Sequence, residues 1–124
     1  MHLLLVDDHP LFCVGFAHAL QAARPGLLVE IAPTLQQGLD RAAEHGQFDI
    51  VLIDYRLGER NGIEGLRSVQ GDGVFFVTAQ DADTEIPKCM AAGFDGFIGK
   101  PISRSRFPKQ IRRILSGEPV WETY

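Results

Sequence analysis

The chain has 124 residues, 45% of them hydrophobic and 23% charged, with a formal net charge of −4. This is the composition of one soluble domain with a single core, and no apolar run approaches the ~20 residues that a membrane-spanning helix needs. The opening Met1-His2-Leu3-Leu4-Leu5-Val6-Asp7 lacks a basic start and soon meets acid, so it does not read as a signal peptide, and a cytoplasmic location is expected.

The charge is uneven. Arg104, Arg106, Lys109, Arg112 and Arg113 crowd the last stretch against only Glu118 and Glu122, while acid dominates everything before it. Five cations on one short helix read first as a solvated face and second as a surface for a partner. No base-reading helix-turn-helix accompanies them, so direct DNA binding is not expected. Cys13 and Cys89 fall in apolar helical patterns without metal-ligand spacing, which suits buried thiols better than a disulfide.

Strand and helix alternate along the chain. Strand one is expected over 3–6, then a helix over 10–23 with Pro10 in its first turn and an apolar face of Leu11, Val14, Phe16 and Leu20. Pro25-Gly26 ends it. Strand two is expected over 28–32. Thr34 suits the N-cap of a second helix that runs to His45 and stops at Gly46. Strand three is Ile50-Val51-Leu52-Ile53-Asp54, four apolar residues closed by a carboxylate. Such an unalternating run suits a strand buried on both faces. A short third helix is expected over 63–69, before Gly71-Asp72-Gly73. Strand four begins Val74-Phe75-Phe76-Val77. A fourth helix carries Pro87 near its start, strand five is Gly96-Phe97-Ile98, and Pro108 either bends the fifth helix or begins its regular part.

Five such units make a doubly wound, five-stranded parallel sheet with helices on both faces, in the flavodoxin-like order 2-1-3-4-5. In that order strands one and three flank the switch point, so their carboxyl ends are the expected site. Strand one ends in Asp7-Asp8 and strand three in Asp54. Strand four ends in Thr78-Ala79, and Gly99-Lys100-Pro101 follows strand five. Three clustered carboxylates repel: two unit charges ~4 Å apart cost about 4 kcal/mol at an effective dielectric of ~20. A hard divalent cation such as Mg²⁺, with Lys100, would offset that. A carboxylate beside such cations can then attack a phosphodonor.

These residues carry a resemblance. Asp7-Asp8, Asp54, Gly62 eight residues later, Thr78-Ala79 and Lys100-Pro101 together resemble the receiver domain of two-component response regulators, over nearly the whole chain. The run Leu5-Val6-Asp7-Asp8-His9-Pro10-Leu11-Phe12 is similar to the NarL/FixJ subgroup, whose receivers precede a LuxR-type DNA-binding domain. Ile114 to Trp121 is similar to the end of such receivers, so 1–117 is expected to be the receiver and 118–124 a tail or the start of a linker, with no output domain in this chain.

The resemblance implies a regulatory, phospho-accepting domain rather than an enzyme. Asp54 would take the phosphoryl group from a sensor histidine kinase or phosphotransfer protein. Asp8 would bind Mg²⁺ directly and Asp7 through water, with Asp54 and the backbone carbonyl of Arg56. Thr78, Lys100 and the Ala79 amide would hold the phosphoryl oxygens. Thr78 and Phe97 would form the switch, reshaping the face of helix four, strand five and helix five. Arg56 and Gln80 would tune the phosphoryl lifetime. Phosphorylation in this subgroup often promotes a homodimer.

The sequence departs from the pattern in places. Thr78 follows Asp54 by only 24 positions, Gly58 stands where proline is common, and Pro87 and Pro108 fall on the signalling face. These departures leave an alternative, an atypical receiver that acts as a phosphate-independent interaction module. An aspartate-nucleophile phosphatase would want a carboxylate two residues after Asp54, where Arg56 stands. A flavodoxin-type carrier would want a Ser/Thr/Gly-rich loop after strand one, which is missing.

Overall fold

The computed structural model of the protein describes residues 1–46, 48–54, 60–70, 73–79, 94–99, 107–116 and 120–122. In chain order these form β1 (His2–Val6), α1 (Pro10–Ala23), β2 (Leu28–Ala32), α2 (Leu35–His45), β3 (Ile50–Asp54), α3 (Arg60–Gln70), β4 (Val74–Ala79), β5 (Gly96–Gly99), α4 (Phe107–Ser116) and β6 (Val120–Glu122). The sheet is parallel throughout, in the order β2-β1-β3-β4-β5-β6. The first five strands stand in the expected 2-1-3-4-5 order. The fourth expected helix, with Pro87, and residue Cys89 lie outside the described residues.

Both faces of the sheet are buried, which is why its central strands read as unbroken apolar runs. Leu4, Val6, Val51, Ile53, Phe75 and Val77 point to one side, where Ala42 of α2 and Ile63 and Leu66 of α3 cover them. Leu3, Leu5, Ile50, Leu52 and Phe76 point to the other, under Cys13, Phe16 and Leu20 of α1 and Leu115 of α4. Each such side chain, fully buried, stabilises the fold by roughly 2 kcal/mol. Close packing reaches the strand end itself. A Cβ on Gly38 would lie 2.9 Å from Val6 Cγ2, so only glycine lets α2 seat this closely on the end of β1.

Three expectations need correction. Leu11 and Val14 do not belong to the buried face of α1: they are 91% and 64% exposed, and the buried stripe is Cys13, Phe16, Ala17 and Leu20. At about 100° per residue, Leu11 falls opposite that stripe and Val14 about a quarter turn from it. The third helix is not short. It spans 11 residues, as many as α2, because Arg60 to Gly62 and Gln70 join it. The expected tail contains β6, which pairs with β5 in the register Gly96↔Val120, Phe97↔Trp121 and Ile98↔Glu122. By contrast Thr34 caps α2 as expected, its hydroxyl accepting from Gln37 N at 3.1 Å, and Gly46 ends the helix with φ 76.

The amino edge of the sheet is tied by polar side chains. Gln70, 1% exposed, accepts from Phe48 N (3.1 Å) and donates Nε2–H to Phe48 O (2.6 Å) and Val74 O (3.3 Å). Asp49 Oδ2 accepts from His2 N and Asp95 Oδ2 from Phe75 N, each at 2.7 Å. Among the described residues, no helix is long and apolar enough to cross a membrane.

Candidate functional site

The site lies at the opposite edge, where β1 and β3 stop. Asp7 continues β1 by one residue, since its N–H donates to Ala32 O at 3.0 Å. Its carbonyl accepts from the buried Cys13 thiol at 3.4 Å. Pro10 opens α1, so the chain turns away within two residues. Asp54 closes β3 in register with Thr78 of β4. Asp7, Asp54 and Thr78 are 1–2% exposed, whereas the Asp8 side chain is 57% exposed.

His9 draws these groups together. Its backbone N–H donates to Asp7 Oδ1 at 2.9 Å. Its Nδ1 lies 2.7 Å from Asp7 Oδ1, 3.1 Å from Asp8 Oδ1 and 3.7 Å from Asp54 Oδ2. One donor atom from each of Asp7, Asp8, His9 and Asp54 falls within 4.8 Å of all the others. Three carboxylates this close, two of them buried, demand positive charge. The oxygen-rich set fits a hard divalent cation, because Mg²⁺ takes one or two carboxylates and keeps several waters, and the exposed Asp8 leaves room for water.

A strand-end carboxylate beside a cation-ready cluster is the arrangement on which the comparisons bear. The response regulator receiver domain family matches residues 3–112. The chain belongs to that family. The receiver is 28% identical over 119 residues to the glycerol metabolism activator of Pseudomonas putida, covering 93% of this chain and 54% of that protein. It is 27% identical over 123 residues to the nitrate/nitrite response regulator protein NarL of Escherichia coli K12, covering 95% and 56%. The crystal structure of a LuxR family DNA-binding response regulator from Silicibacter pomeroyi superposes with a TM-score of 0.82 at 26% identity, covering 98% of this chain and 96% of that one. The receiver thus spans little more than half the length of the curated relatives named, and its likeness runs to LuxR-type regulators.

Of the receiver residues expected from the sequence, Asp7, Asp8, Asp54 and Thr78 converge on one sheet edge. Ala79 ends β4, in register with Gly99. Arg56, Gln80 and Lys100 lie outside the described residues. Phe97 is fully buried in β5, in register with Val77, within the core cluster that holds Ile63, Leu66 and Phe94. The ring is therefore already inside the core. His9 is the residue that sequence reasoning passed over. Its place directly after Asp7-Asp8 was the signal, but its role depends on β3 bringing Asp54 alongside.

Proposed function

We propose that this receiver accepts a phosphoryl group on Asp54 from a histidine kinase or phosphotransfer protein, with a divalent cation bound at the same edge. The observation that carries the reading is Asp54 itself, buried at the end of β3 among Asp7, Asp8 and His9 and in register with Thr78. An Asp54 carboxylate oxygen attacks phosphorus, the donor's P–N bond breaks, and the leaving imidazole keeps the electron pair and takes up a proton from solvent. Asp8 and Asp54 would hold Mg²⁺, with the Arg56 carbonyl, and Asp7 would act through water. The ion would supply positive charge against the carboxylates and the incoming phosphoryl oxygens. Thr78, the Ala79 amide and Lys100 would hold those oxygens, while Arg56 and Gln80 would tune how long the acyl phosphate lasts.

The output would be a population shift between two packings of Thr78 and Phe97. The full burial of Phe97 supports an inward ring as one of those packings. A shift there would change β5 and the segments on either side of it. In a longer protein of the LuxR type, that face would control a DNA-binding domain reached through the chain after residue 117, with a homodimer as one route. The domain would be regulatory and cytoplasmic.

The test is intact mass after incubation with acetyl phosphate and Mg²⁺. A gain of about 80 Da that needs Mg²⁺ and vanishes in Asp54→Asn is the expected result. Absence of the gain at every donor concentration would leave the phosphate-independent interaction module as the better reading.

A further inference from the structure

His9 is the N-cap of α1, with extended backbone (φ −97, ψ 97), yet its side chain makes no capping hydrogen bond. The imidazole instead turns back over the strand ends. Nδ1 hydrogen-bonds Asp7 Oδ1 at 2.7 Å, and it also lies 3.1 Å from Asp8 Oδ1 and 3.7 Å from Asp54 Oδ2, the last too long for a hydrogen bond. A cation shared by Nδ1, Asp8 and Asp54 accounts for the two longer approaches. With metal–donor distances of ~2.1 Å, neighbouring ligands of an octahedron stand about 3.0 Å apart and opposite ligands about 4.2 Å apart. The four donor atoms span no more than 4.8 Å. Nδ1, Asp8 Oδ1 and Asp54 Oδ2 lie near the spacing of one coordination shell, and Nδ1 would give up its hydrogen bond to Asp7 Oδ1 on joining it.

We propose that His9 Nδ1 is a direct ligand of the cation held by Asp8 and Asp54, with Asp7 acting through water, and that it sets the metal preference of the site. This rests on the reading that the cluster binds a divalent ion. An all-oxygen shell suits Mg²⁺, whereas an imidazole nitrogen favours first-row transition ions, in rising order from Mn²⁺ through Co²⁺. The side chain is 55% exposed, so the ring can adjust to an ion without disturbing the core. His9 thus becomes a specificity-determining residue: the same three carboxylates without it would discriminate far less between Mg²⁺ and Co²⁺.

The full chain is titrated with Co²⁺ and with Mg²⁺ by calorimetry, and the Co²⁺ visible spectrum is recorded for wild type, His9→Ala and His9→Asn. Asp8→Asn reports the background from His2, His18 and His45, and circular dichroism checks the folding of each variant. The expected result is a Co²⁺-to-Mg²⁺ affinity ratio that falls about 10-fold or more in both His9 variants, together with a shift of the cobalt bands toward an all-oxygen shell. A structural role alone would weaken both ions together and leave the ratio unchanged. An unchanged ratio and spectrum, with Mg²⁺ still bound, overturns the assignment of His9 and leaves the phosphoacceptor reading standing. If wild type binds neither ion above the Asp8→Asn background, both fall.

Discussion

Two sets of aspartates stand at opposite edges of one sheet and do opposite things. At the amino edge Asp49 precedes β3 and Asp95 precedes β5, and each accepts a backbone N–H of the neighbouring strand at 2.7 Å. At the carboxyl edge Asp7, Asp8 and Asp54 crowd around one imidazole. The first pair spaces its charges apart and ties strands together. The second concentrates charge, which a fold optimised only for stability would avoid. Under the proposed function, the carboxyl edge is where stability is given up for chemistry.

Breaking the amino edge should have the largest effect. A Cβ on Gly73 would lie 2.3 Å from Gln70 Nε2 and 2.7 Å from Phe48 O. The backbone carbonyl cannot move aside, so Gly73→Ala should destabilise by about 3 kcal/mol, read from urea unfolding. A loss under 1 kcal/mol would mean that the Gln70 bridge is dispensable. Gln70→Leu keeps the bulk but strands the Phe48 N–H and carbonyl, and should lose about 2 kcal/mol. Asp95→Ala removes the acceptor from Phe75 N–H and should lose about 1.5 kcal/mol. Its Arg67 partner, at 4.0 Å on a partly exposed pair, adds little. Raising the salt concentration should therefore barely change the Asp95→Ala deficit, and a strong salt dependence would mean that the ion pair matters more than the hydrogen bond.

How much of this was legible follows from the range of each interaction. The parallel sheet came from alternating strands and helices with unbroken apolar runs in β1, β3 and β4, because strands buried on both faces must be apolar on both, and 2-1-3-4-5 is the flavodoxin-like order of that doubly wound class. Asp54 was legible as the carboxylate that closes one such run. Phe48-Asp49 before β3 and Phe94-Asp95 before β5 repeat one dipeptide, a signal for the amino-edge ties that only the paired strands explain. Gln70 could not be foreseen: its partners include Phe48, 22 residues away, and a glutamine at a helix end reads as exposed. Leu11 and Val14 misled because α1 carries more apolar residues than its buried stripe can hold. Val120 to Glu122 is too short and too mixed to announce an edge strand, and only the free edge of β5 makes it one.

The smallest effect is the most telling, because its sign should change. Asp54→Asn removes one charge from the crowded edge while keeping size and hydrogen-bonding shape. Without divalent ions the variant should be more stable than wild type by about 1 kcal/mol, a like-charge repulsion of about 4 kcal/mol mostly offset by the groups already around Asp54, His9 among them. Adding Mg²⁺ stabilises only what binds it, by RT ln(1 + [L]/Kd), so wild type should gain more than the variant and the difference should close or reverse. Urea midpoints with and without Mg²⁺ measure both halves. A variant no more stable than wild type in chelator would mean that Asp54 is already neutralised by the protein's own cations. The cation site would then be smaller than the four-residue cluster suggests, with Asp7, Asp8 and His9 as its remaining core.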